Sequence, residues 1–129
     1  NPNDFVKAIY DVTAVDGVAV LSCLGGDGFD IKVLWDKSQS IMPPYHLNFL
    51  SKQGISNLFK SVGFRKCEIR TPGRLDVEIV ANALQRGEQV QLSKFESQLL
   101  KSDQDTRESF QKFLAENGLS SHVWVIATK

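Results

Sequence analysis

Apolar and polar positions along this chain follow two rhythms, one of helices and one of strands. Behind Asn1, Pro2 and Asn3, the residues Phe5, Ile9 and Val12 recur at helical spacing. An asparagine cap and a proline in the first turn predict the helix start there. Asp16 and Gly17 predict a tight turn. Val18 to Leu24 is then a nearly unbroken apolar run, and its length and β-branching predict a strand buried on both faces, as in a parallel sheet. Gly25, Gly26, Asp27 and Gly28 interrupt it. The next stretch fits two patterns. Asp27 or Asp30 would cap a short helix carrying Ile31, Leu34 and Trp35, whereas the alternation of Phe29, Ile31, Val33 and Trp35 fits a strand.

Ser38 to Tyr45 reads as a loop stiffened by Pro43 and Pro44. Ser51 is a good cap for a helix with Ile55, Leu58, Phe59 and Val62 on one face. Gly63 supplies a left-handed stop and Phe64 the apolar residue that folds back against it. From Arg65 to Arg70 polar and apolar residues alternate, with Cys67 and Ile69 inward. Val77, Val80, Ala81 and Leu84 mark another helix, and Phe95, Leu99 and Leu100 a weaker stripe. Ser102 with Asp105 forms a variant capping box for a helix containing Phe110, Phe113 and Leu114, ended by Gly118. The last strand is His122 to Thr128, with Val123, Val125 and Ala127 opposite His122, Trp124 and Ile126. Three strands and about five helices place the chain in the α/β class.

A chain of 129 residues builds one compact core and is too short for two ordinary domains. With 15 basic and 15 acidic residues there is no electrostatic footprint for nucleic acid. No apolar run approaches the roughly 18 to 20 residues of a membrane helix, so no membrane partner is expected. The opening residues Asn1 to Asp4 lack the basic and apolar regions of a secretion signal. A cytoplasmic setting follows as the expectation, with Cys23 and Cys67 as free, buried thiols inside strands.

Several kinds of chemistry fail on spacing. The glycines at 25, 26 and 28 do not complete a dinucleotide fingerprint, because Ile31 stands where its third glycine belongs and no acid lies near Leu50. The loop is expected to be a flexible strand exit. Two histidines and two cysteines scattered along the chain make no zinc pattern, so no metal is expected. No Gly-x-Ser-x-Gly elbow supports a serine hydrolase.

The segment from Pro43 to Val77 is more specific. It runs through Pro43, Pro44, Tyr45, His46, Leu47, Asn48, Phe49, Leu50 and Ser51, then a helix closed by Gly63 and Phe64, then Thr71, Pro72, Gly73, Arg74, Leu75 and Asp76. This order resembles the C-terminal half of class I S-adenosylmethionine-dependent methyltransferases, in particular the type 11 group. The resemblance covers roughly Asn1 to Arg86 and again Leu119 to Lys129; the insertion between the last two strands, about residues 74 to 119, is longer than a typical member carries. It implies a partial Rossmann-like sheet, the last three strands of seven, with the final strand reversed and inserted between its two predecessors. It also implies that residues 1–129 are one domain, a C-terminal fragment without the cofactor-binding N-terminal half. The family's glycine-rich cofactor loop and its acidic partner lie on earlier strands. S-adenosylmethionine therefore belongs to the parent protein, and no cofactor-binding residue is expected in this chain.

Within that resemblance His46 is the best candidate for chemistry. Methyl transfer often needs a base to take the acceptor's proton, and a loop at the carboxyl end of a parallel strand is where open α/β sheets bind ligands. Three roles stay open for His46: bonding the backbone of the Pro43-Pro44 turn, contacting the acceptor, or acting as general base. Tyr45 and Asn48 share its loop as acceptor contacts. Trp35 and Asp36 would pair a stacking face with a carboxylate for a sugar-like acceptor, unless Trp35 merely completes the stripe of Ile31 and Leu34. Asp30 reads as a helix cap and His122 as hydrogen-bonded structure. The expected partners are a small-molecule acceptor in the parent enzyme and a second copy of the chain, paired through a bare edge of the Val18–Leu24 strand. The alternative is a self-contained, non-enzymatic α/β interaction module.

Overall fold

Asn1 accepts a hydrogen bond from the Asn3 amide and starts α1 (Pro2–Val12). The computed structural model describes residues 1–129 and continues through β1 (Val18–Leu24), α2 (Phe29–Leu34) with a 3-10 turn at Trp35–Lys37, α3 (Lys52–Val62) and β2 (Lys66–Arg70). Then come α4 (Asp76–Gln85), α5 (Lys94–Leu100), α6 (Gln104–Glu116) and β3 (His122–Thr128). The class is α/β. There are six α-helices rather than about five, because residues 29–34, which fitted either pattern, are helical.

The sheet has the order β1-β3-β2. β3 is antiparallel to both neighbours, with Val18 opposite Thr128 and Leu24 opposite His122 on one side. On the other side Lys66 faces Thr128 and Arg70 faces Trp124. β1 and β2 thus run parallel to each other with the last strand reversed between them.

Helices α1 and α3 cover one face. Val6, Ile55, Phe59 and Phe64 pack on Val123, Val125 and Ala127, with Ala19, Leu21, Cys67 and Ile69 joining from the outer strands. The stop after α3 is a Schellman turn. The Gly63 amide bonds the Lys60 carbonyl and the Phe64 amide bonds the Phe59 carbonyl, with Gly63 at φ 122°. That turn drops Phe64 into the core edge-on to Tyr10, with ring centroids 5.1 Å apart.

The other face carries no helix. Val18, Val20, Ser22, His122, Trp124, Lys66, Glu68 and Arg70 are exposed there. β1 pairs with β3 on one side and with nothing on the other. The expectation that Val18–Leu24 is buried on both faces is therefore wrong for this chain. Ala19, Leu21 and Leu24 are half-buried and Cys23 is exposed rather than buried. Burying both faces takes a second layer and a further strand, which these residues do not supply. Cys67 is half-buried, and both thiols are free.

The remaining helices form a cap at the end of the sheet where β1 and β2 finish and β3 begins. Leu34 of α2 meets Val80 and Ala83 of α4, with Ile79, Val90 and Leu100 around them. Phe110 of α6 stands edge-on to Phe29 at 5.5 Å. The helices of residues 74–119 together with α2 build this cap.

Three local expectations change. Neither Asp27 nor Asp30 caps α2, which starts at Gly28 with no side-chain cap bond. Asp27 instead accepts from the Lys52 amide at 3.1 Å, and Asp30 is buried. The glycine loop is a tight crossing rather than a slack exit: a Cβ on Gly28 would lie 2.2 Å from Ser121 Cα. Finally Asp103, not Ser102, caps α6 by accepting from the Thr106 amide at 2.8 Å, while the Ser102 hydroxyl donates to the Leu99 carbonyl. No helix is long and apolar enough to cross a membrane.

Candidate functional site

An open cleft of about 640 Å³ lies at the carboxyl end of β1, where ligands bind in open α/β sheets. One wall is the 45–48 loop, with Tyr45, His46, Leu47 and Asn48; the other is Ser22, Cys23 and Leu24 of β1 with His122 of β3. Phe5 of α1 closes one side. An apolar hollow of about 340 Å³ between β1, α1 and α3 adjoins it, sharing Phe5, Cys23 and Asn48.

The loop is held by its main chain. The Ile41 amide bonds the Ser38 carbonyl at 3.0 Å, and the Tyr45 and His46 amides both bond the Met42 carbonyl, at 2.9 and 3.2 Å. The Pro43–Pro44 peptide is cis. At its far end the Leu50 carbonyl accepts from the Gly26 amide at 3.0 Å, and Ser51 caps α3 through the Gly54 amide. The exposed His46 imidazole takes no part in these bonds. Its ring stands 6.4 Å from that of Phe49, tilted by 59°.

His122 enters the site through strand register. Leu24 faces His122 and Ser22 faces Trp124, so Ser22 and His122 are diagonal neighbours on the uncovered face. The Ser22 hydroxyl and His122 Nε2 lie 3.0 Å apart, and the His122 ring stands edge-on to Trp124 at 6.4 Å. The segment before His122 is pinned from the cap side. The Ser120 hydroxyl donates to Asp76 Oδ2 at 2.6 Å and the Ser121 amide to Asp76 Oδ1 at 2.7 Å.

Of the residues singled out in the sequence, Tyr45, His46 and Asn48 come together in this cleft. Trp35 and Asp36 do not line it. Trp35, at φ 45° and 67% exposed, ends α2 pointing away from the core instead of completing its apolar stripe. Asp36 pairs with Lys37 at 3.2 Å on the surface. Ser22 carries no local mark of a site residue in the sequence. The outward-facing set Val18, Val20 and Ser22, laid against His122 and Trp124 in a reversed neighbouring strand, was the available signal.

No Asp, Glu, Lys or Arg lines the cleft. It offers two imidazoles, a phenol, a carboxamide, a hydroxyl and the Cys23 thiol beside apolar walls. Such a set binds a small polar molecule by hydrogen bonds and can accept a proton from it, but gives no fixed charge. No group of three or more His, Cys, Asp or Glu side chains is arranged to hold a metal ion.

No protein-family model matches the sequence, and no curated protein does. Among solved structures, the chain is similar to Haemonchus contortus phospholethanolamine N-methyltransferase 2 in complex with phosphomonomethylethanolamine and S-adenosylhomocysteine. The TM-score is 0.49 and the identity 19%, over 98% of this chain and 30% of that one. The chain thus spans about a third of that protein's length.

Proposed function

We propose that residues 1–129 form the acceptor-side, C-terminal portion of a class I S-adenosylmethionine-dependent methyltransferase that acts on a small molecule. The observation that supports this most strongly is the strand order. The resemblance carried by Pro43 to Val77 implies a last strand reversed between two parallel predecessors, and β3 lies antiparallel between β1 and β2. Hydrophobic periodicity does not dictate that order.

The bare flank of β1 supports the same assignment. A true edge strand is normally guarded by charges, a proline or a bulge. Val18 to Leu24 has no charged residue and no proline, and pairs with β3 without a bulge. It has the composition of an interior strand.

S-adenosylmethionine supplies the methyl group in the parent protein, and the cleft here does not fit it alone. No acidic side chain lines it to take the ribose hydroxyls, and none of Gly25, Gly26 and Gly28 lines it to receive the amino-acid end. What these residues do is hold the acceptor. Tyr45 and Asn48 orient it by hydrogen bonds, and the unbonded imidazole of His46 contacts it and is the base available to take its proton.

Titration calorimetry tests this assignment. The isolated chain is expected to show no saturable binding of S-adenosylmethionine, and the full-length product of its gene to bind it. Saturable micromolar binding by the isolated chain, or none by the full-length product, would overturn it.

A further inference from the structure

Where the helical cap meets the sheet, two acids are buried against each other. Asp30, in the first turn of α2, is 0% exposed, and Asp76, the first residue of α4, 2%. Asp76 has the partners an ionised carboxylate requires: the Ser120 hydroxyl, the Ser121 amide, and Gln111 Nε2 at 2.7 Å. Gln111 is itself fixed, donating to the Gly73 carbonyl and accepting from the Val77 amide, each at 3.0 Å. Asp30 has nothing comparable. Both its oxygens are buried without a hydrogen-bond partner.

An ionised carboxylate is disfavoured in such a place, and more so beside a second anion; the nearby Ser121 hydroxyl and Ile31 amide favour ionisation but are outweighed. No cation offsets it. Of the elements around Asp30, α4 presents Asp76, α6 the neutral Gln111 amide, and the 120–121 segment two hydroxyls. On α2 itself, Lys32 is exposed to solvent. One proton resolves the conflict, because a neutral Asp30 carboxyl becomes a donor towards the Asp76 carboxylate or the Ser121 hydroxyl.

We propose that Asp30 and Asp76 form a proton-operated latch between the helical cap and the wall of the candidate cleft. With the proton bound, the pair ties α2 to α4 and both to the Ser120-Ser121 segment. That segment accepts from the Gly25 amide at 2.8 Å and leads directly into His122. Gly73, just before α4, permits the close approach: a Cβ there would lie 1.7 Å from the Ser120 hydroxyl oxygen. With the proton lost, two buried anions repel and α2 loosens from α4 and from the Ser121 side chain, while Asp76 keeps its own bonds to the Ser120 hydroxyl and the Ser121 amide.

The direction follows from the two carboxyls. Burial first, and then the charge of Asp76, raises Asp30 from 3.8 to about 6. Its stabilising contribution is therefore full below 3.8 and is lost as pH rises through about 6. Burial pushes Asp76 up, but the bonds from Ser120, Ser121 and Gln111 outweigh it and hold Asp76 below 3.8. Its contribution is present above 3.8 and lost as pH falls through that lowered value. The latch is tightest near 3.8 and opens towards about 6.

Carbon-13 NMR of the side-chain carboxyls in the unmodified chain is the primary test. Asp30 should titrate near 6, with the Ser121 amide shifting in step, and Asp76 below 3.8. Urea unfolding of the chain and of Asp30→Asn is the second. The folding constant of the chain relative to the variant should fall about tenfold per pH unit across the window, roughly a hundredfold in all. Asp30 titrating at the ordinary carboxylate value, or identical pH profiles for chain and variant, would overturn the latch. If Asp30→Asn does not fold, the titration of the unmodified chain decides alone.

Discussion

The Ser22 hydroxyl and His122 Nε2, 100 residues apart in sequence, sit 3.0 Å apart on the uncovered face of the sheet. Their contact joins the edge strand to the central strand beside the cleft. Ser22→Ala removes an exposed hydrogen bond, so the loss of stability should stay within about 0.5 kcal/mol. The effect should appear in the ring instead. Nitrogen-15 NMR of His122 should show a changed tautomer ratio in the variant, and an unchanged ratio would mean that the two side chains only touch.

Under the proposed assignment His46 contacts the acceptor, and its imidazole makes none of the hydrogen bonds that hold its loop. In the full-length protein, His46→Gln should lower turnover about 100-fold, the lower range for loss of a general base. Binding of S-adenosylmethionine should be unchanged. Loss of cofactor binding in the variant, or undiminished turnover, would remove His46 from the chemistry.

Two glycines separate lack of room from backbone conformation. A Cβ on Gly28 would meet Ser121 backbone at 2.2 Å, whereas one on Gly87 meets nothing within 4 Å but needs φ +86°. Gly87→Ala should cost about 1 kcal/mol, the penalty of a left-handed residue. Gly28→Ala should cost roughly 3 kcal/mol or more, because backbone must move. Urea midpoints for the two variants check this, and equal costs would mean that the crossing is slack.

The free edge of β1 should make the isolated chain self-associate. Val20, 65% exposed, lies midway along that strand. Light scattering is expected to show concentration-dependent dimers, and Val20→Lys to shift the chain towards monomer by placing a charge on the edge. A clean monomer at high concentration would show that the edge is protected.

Much of this fold was legible because local signals agreed with tertiary ones. The alternation of His122 to Thr128 gave both the strand and its inward set, Val123, Val125 and Ala127, which are all buried. Ser51 and Gly63 bracket α3 as their chemistry requires. What escaped depended on distant partners. The apolar run of β1 reads as a strand buried on both faces, and nothing local in it shows that one flank and one face are uncovered here. Asp30, two residues after Gly28, looks like a cap until Asp76 and Ser121 arrive from other elements and bury it. Tyr45, His46 and Asn48 could be grouped because one loop carries them. Ser22 and His122 needed the register of two strands. Asp103 took the cap of α6 because its carboxylate reaches the Thr106 amide, three residues on, while Ser102 finishes α5.

Hydrogen exchange at the alternate β1 amides that point away from β3 probes most directly whether β1 is an interior strand of a larger enzyme. In the isolated chain, diluted until light scattering shows only monomer, these amides should exchange as freely as a loop, and in the full-length gene product they should be protected together with β3. Equal exchange in both would contradict the assignment, since it would leave β1 an edge strand in the complete protein.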